Sequence, residues 1–162
     1  MRMTPHRSVA AVTILLLAVS VRGAQEPDEQ KIPLDKLPKA VSDAVKAKFP
    51  KAKLVEAASE VEDGKTIYEV TIKDSGHAID VSLTPEGKVV TVEKEIDSKD
   101  LPKVIADALE SRYPKARIKK AEQISDGADK TTAYEMLITT QDKKKLEVKF
   151  DPAGKFLEEE AK

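Results

Sequence analysis

Beyond the first 23 residues the chain holds one histidine, His77, and it has no cysteine anywhere. An imidazole titrates near neutral pH and acts as a general base when a nucleophile stands within reach. No serine lies in a Gly-x-Ser-x-Gly setting, and His77 adjoins Ser75-Gly76, so it reads as a solvated turn residue and not as a triad member. The six glycines are scattered and build no phosphate-binding loop. Carboxylates are plentiful, as in Glu60-Val61-Glu62-Asp63, Asp126-Gly127-Ala128-Asp129 and Glu158-Glu159-Glu160. Paired acids serve hydrolysis or hold calcium, but none of these runs has calcium-loop spacing, and turns and solvated ends account for them. Lys143-Lys144-Lys145 could serve an anionic partner, but such a run reads first as a charged hairpin tip that blocks edge pairing. With no catalytic set, the expectation is a protein that is not an enzyme and uses no cofactor or metal.

The 162 residues include 28 Lys plus Arg and 29 Asp plus Glu, a net charge of −1. That balance argues against a nucleic-acid binder, which needs a basic surface to displace counterions. The lack of cysteine excludes a disulfide scaffold, a zinc-thiolate centre and a cysteine nucleophile. Residues 1–23 read as a signal peptide. Arg2, His6 and Arg7 form a basic start, and Val9 to Val21 is an apolar run too short to span a bilayer comfortably. Its removal takes away Arg2, Arg7 and Arg22 and no acid. Export to the periplasm or the medium follows, with no stable membrane span after cleavage. Residues 24–32 read as a flexible lead-in, with Gln25 to Lys31 polar and containing Pro27.

The rest repeats itself. Leu37-Pro38-Lys39-Ala40-Val41 aligns with Leu101-Pro102-Lys103-Val104-Ile105 at an offset of 64, which grows to 66 at Tyr68-Glu69/Tyr134-Glu135 and to 67 at Gly87-Lys88/Gly154-Lys155. Small length changes confined to turns are what a duplicated unit shows. The copies span 33–96 and 97–162. Each opens with an amphipathic helix: Leu37, Val41, Ala44, Val45 and Phe49 fall on one stripe, as do Leu101, Ile105, Ala108, Leu109 and Tyr113. Pro38 and Pro102 suit a first helical residue, and Pro50 and Pro114 stop the helices. Strands follow, with period-2 alternation at Tyr68-Val70-Ile72 and Ile79-Val81-Leu83, and at Tyr134-Met136-Ile138 and Leu146-Val148-Phe150. Asp74-Ser75-Gly76 and Thr84-Pro85-Glu86-Gly87 make the turns. The fold class is α+β: two tandem units of one helix and four antiparallel strands. A unit of about 65 residues is marginal alone, so the copies are expected to share one sheet and one larger core, with both helices on one face.

Tyr68 and Tyr134 occupy the buried phase and read as core residues. The outward phase contains Ile67, Glu69, Thr71, Asp80, Ser82, Val89, Thr91, Glu135, Leu137, Thr139, Glu147, Lys149 and Phe156. Ile67, Val89, Leu137 and Phe156 put apolar atoms on an otherwise polar surface. Apolar centres with charged rims are typical of protein interfaces, and scattered exposed strand formers look the same.

The pattern of Leu-Pro, a helix ending in Phe/Tyr-Pro-Lys-Ala, then Tyr-Glu-Val or Tyr-Glu-Met, then Pro-x-Gly-Lys resembles the PepSY-like family, over residues 33–160 in two copies. The resemblance implies kinship of fold with beta-lactamase-inhibitor protein and with PepSY domains. It implies an exported bacterial protein built from helix-plus-sheet repeats. The lactamase inhibitor binds its target across a concave sheet, and PepSY domains accompany protease propeptides. The inhibitor carries disulfides that this chain lacks, so none of its contacts transfers to a position here. The expected function is a protein-binding module outside the cytoplasm, an inhibitor or modulator of a secreted or envelope enzyme. The alternative is an envelope protein that binds a small ligand or a cation such as calcium.

Overall fold

The computed structural model describes residues 30–62 and 64–162. The expected signal peptide and the start of the lead-in lie outside the described residues. Gln30–Lys31, expected in the lead-in, forms a short edge strand, β1. A 3-10 turn at Leu34–Lys36 leads to α1 (Lys39–Lys48), then β2 (Lys53–Glu62), β3 (Lys65–Asp74), β4 (His77–Leu83) and β5 (Val89–Glu95). A second 3-10 turn at Ser98–Asp100 leads to α2 (Lys103–Arg112), β6 (Arg117–Asp126), β7 (Thr131–Thr139), β8 (Lys145–Phe150) and β9 (Phe156–Ala161). Pro38 and Pro102 are the residues just before the helices, one position earlier than the sequence suggests; their carbonyls accept the N–H of Ser42 and Ala106. Lacking an N–H, each proline adds no unsatisfied donor there.

The strands form one antiparallel sheet in chain order, β1 through β9. The copies join where β5 pairs with β6, from Thr91 opposite Asp126 to Glu95 opposite Glu122. Residues directly opposite one another share a face of the sheet. Val92, in the first core, faces Ser125, and Ser125 lies in phase with Ala121 of the second core. Both helices therefore cover the same side.

The apolar interior is divided, where one larger core was expected. Val41 and Val45 of α1 pack on Val70, Ile72, Ile79, Val81 and Leu83. Ile105 and Leu109 of α2 pack on Ala121, Met136, Ile138, Val148 and Phe150. Each helix spans ten residues and covers only the strands that follow it, so the duplication yields two cores under one sheet. Fully buried side chains such as Ile105 and Ile72 each contribute about 1.5–3 kcal/mol.

Five β-bulges interrupt the register, and two of the sites recur in both copies. One lies between Leu54 and Glu56 and again between Ile118 and Lys120. The other lies between Ser82 and Leu83 opposite β5, and again between Lys149 and Phe150 opposite β9. A bulge adds one residue to a strand and reverses the side-chain phase beyond it. The extra residues of the second pair are Val90 and Leu157, and both are exposed.

Candidate interaction face

Opposite the helices, no helix among the described residues covers the sheet. Cross-strand register fixes which side chains meet on this open face. One row crosses six strands: Glu56, Thr71, Asp80, Glu93, Ile124 and Ala133. A second runs Glu95, Glu122, Glu135, Lys149 and Glu158. A third brings Lys120, Leu137, Glu147 and Glu160 together. The outward-phase residues Glu69, Thr71, Asp80, Ser82, Thr91, Glu135, Leu137, Thr139, Glu147 and Lys149 all lie on this side, each half-buried. Long neighbouring side chains lean on one another, so a face read as wet is only partly so. Ile67 also lies here, opposite Glu60, and is buried, with Ala58, Ile124 and Ala133 buried elsewhere on the same side.

Val89 and Phe156 are corrections. Val89 pairs with Leu83 and packs on the first core; Phe156 pairs with Phe150 and packs on the second. The rings of Phe156 and Phe150 meet edge-on at 5.7 Å, and the Arg112 guanidinium lies 3.6 Å from the Phe156 centroid. The two positions are equivalent in the duplication. One repeated bulge moves both to the helix side.

The sequence reading passed over Glu93 and Glu122. Together with Glu135 they place carboxylate oxygens within 4.8 Å of one another at the middle of the open face. Two of the three hold ammonium groups: Lys120 lies 2.8 Å from Glu122, and Lys149 lies 3.0 Å from Glu135 and 2.7 Å from Glu158. Burial raises the pKa of Glu122, and Lys120 only partly offsets it. Glu93 has no such counter-ion among its causes of shift: burial first, then Glu135, Glu122, Glu69 and Asp80, push it up to about 7. Burial pulls the Lys149 pKa down, but Glu158 and Glu135 outweigh it and hold that ammonium charged. Calcium takes six to eight oxygens, and two of these three carboxylates already pair with lysines.

Two depressions mark the face. One, of about 240 Å³, is lined by Glu56, Ala57, Ala58, Glu69, Thr71 and Asp80, where the Thr71 hydroxyl donates to Asp80 at 2.7 Å. The other, of about 250 Å³, is lined by Glu135, Glu147, Lys149 and the Glu158–Glu160 run. Of the sequence-predicted residues, Glu69, Thr71 and Asp80 line the first hollow and Glu135, Glu147 and Lys149 the second; Ile67, Ser82, Thr91, Leu137 and Thr139 line neither. His77 starts β4 opposite Asp74, and Tyr68 and Tyr134 pack against the cores as expected.

Comparison with known proteins agrees with this architecture. No curated protein matches the sequence. Among solved structures, a Bacteroides eggerthii protein described as periplasmic superposes with a TM-score of 0.64 at 16% identity, covering 76% of this chain and 88% of that one. A BLIP-like protein from Bacteroides fragilis superposes at 0.58 with 20% identity, over 75% of this chain and 84% of that one. A Bacteroides uniformis protein gives 0.64 at 14% identity, over 76% and 88%. At such identities the likeness is one of fold. The profile of the beta-lactamase-inhibitor-like, PepSY-like family matches residues 25–91 and again 86–158. The chain therefore belongs to the PepSY-like, beta-lactamase-inhibitor-like family and carries its unit twice.

Proposed function

We propose that this chain is an exported, non-catalytic module that binds another protein through the open sheet face and modulates it. The observation that carries this reading is the uncovered side of a nine-stranded sheet, half-buried and hollowed in each copy. Family membership and the periplasmic description of a structural neighbour support the location. Acids outnumber bases on this face, so the partner is expected to present basic side chains, and binding to weaken with salt. Leu137, opposite Glu147 on this face, supplies an apolar contact.

The test is capture of partners from an envelope extract by the mature protein. Leu137→Arg and Asp80→Lys are expected to lower capture at least tenfold with the far-UV spectrum and melting midpoint retained. Lys46→Glu, on the outer side of α1, should leave it unchanged. Equal capture by all three variants would discard the face. The cation alternative is decided separately: a ligand that binds only the folded state raises the midpoint, and an unmoved midpoint in millimolar calcium removes that ion.

A further inference from the structure

At one end of the sheet, where β6 leaves α2 and the β7–β8 turn folds over, lies a cavity of about 360 Å³ lined by Lys115, Arg117, Thr139, Thr140, Gln141 and Lys143. Three linings are cations, two are hydroxyls and one is an amide; no carboxylate lines it. We propose that this cavity binds a phosphate-type oxyanion.

Several lysines of this copy are neutralised in place. Lys120 is held by Glu122, Lys149 by Glu135 and Glu158, and Lys144 by Asp142. Lys115, Arg117 and Lys143 enter none of the ion pairs among the described residues. The nearby acids are engaged otherwise. Glu110 accepts the backbone N–H of Lys115 at 3.3 Å, and Asp142 takes the Thr140 hydroxyl as well as Lys144. The cavity therefore brings three cations together around a space that no carboxylate lines.

Its frame is fixed. Arg117 stands directly opposite Thr139, which stands opposite Lys145. The Lys143 N–H donates to the Thr140 carbonyl and the Thr140 N–H to the Lys144 carbonyl, which closes the turn. Lys115 and Lys143 sit at φ of 61° and 68°, where glycine or asparagine would be less strained. Guanidinium matches a phosphate edge with two parallel N–H donors, the lysines add point charges, and the Thr139 hydroxyl and the Gln141 amide complete the donor set.

The duplication supplies a control. The positions aligned with Lys115, Arg117, Thr139 and Thr140 are Lys51, Lys53, Lys73 and Asp74. Copy one places a carboxylate where copy two has a hydroxyl, so it is expected to bind the same ligand more weakly.

Sodium pyrophosphate is titrated into the full-length mature chain at constant ionic strength, followed by calorimetry and by the melting midpoint. Saturable binding is expected, with the midpoint raised by about 3–6 °C at ten times Kd. Lys115→Ala/Arg117→Ala/Lys143→Ala should weaken it at least tenfold, and Lys51→Ala/Lys53→Ala should not. All five substitutions are at exposed or surface positions, and circular dichroism checks the fold. Vesicles of phosphatidylcholine with and without phosphatidic acid form a second arm. Binding to these vesicles without binding to pyrophosphate assigns the phosphate to a lipid headgroup. No saturable binding in either arm, or equal loss in the two variants, overturns the proposal.

Discussion

Glu93 faces four other acids across the open face, Glu135, Glu122, Glu69 and Asp80, and its pKa is raised to about 7, by burial most of all. The folded protein holds this proton more tightly than the unfolded chain, where the carboxyl titrates near its ordinary 4.5. Its contribution to stability is full below the unfolded value and is lost as pH rises through the folded one, between about 4.5 and 7. Glutamine mimics the protonated form without titrating. Glu93→Gln is therefore expected to match the parent in stability at pH 4.5 and to exceed it by about 1–2 kcal/mol at pH 8, after discounting for the partial exposure of the site. Urea denaturation at the two pH values measures this; the same difference at both would mean that the charge on Glu93 does not matter.

At the scale of elements, the helices, the turns and the strand cores were legible because each has a local physical cause. Leu37, Val41 and Val45 give a helical stripe, and Ile79, Val81 and Leu83 alternate on one face of β4. The bulges were not legible, because nothing in Leu83 or Phe150 marks the pleat opposite as irregular. Counting alternation across the turn therefore put Val89 and Phe156 on the wrong side. Glu93 was missed because β5 was read outward only to Thr91, and Glu122 because β6 is too polar to show its phase. The Pro-x-Gly-Lys turns were seen, but not their role as the floor beneath the helices. Gly87, at φ 82°, donates its N–H to the Thr84 carbonyl, and a Cβ there would stand 2.5 Å from the Ala40 carbonyl oxygen in the first turn of α1. Gly76 has a similar φ of 91° but open space around it. Gly87→Ala is expected to cost about 2–4 kcal/mol, and Gly76→Ala about 1 kcal/mol from backbone strain alone. Chemical denaturation of both variants checks the difference; equal losses would show that the turn does not press on the helix.

For the molecule as a whole, the question is how two cores become one cooperative body. The seam between β5 and β6 joins them through backbone pairing, and beyond it Ile96 donates its N–H to the Ala121 carbonyl and packs on the second core. Lys48 of α1 reaches across to Asp129 in the β6–β7 turn. The seam is not built for electrostatic affinity, since Glu95 stands opposite Glu122. Its worth lies in covering β6, a strand of ten residues that would otherwise be a long open edge. Residues 97–162 contain the second core but lack Ile96 and every β5 partner. A unit of about 65 residues buries little surface for its size, and an uncovered β6 invites pairing with another copy. The isolated fragment is thus expected to melt well below the intact chain and to associate as its concentration rises in sedimentation equilibrium. The intact chain should unfold in one transition seen alike by far-UV ellipticity and by the tyrosine signal. A monomeric fragment as stable as the whole would show that the seam adds nothing, and that each copy stands on its own core.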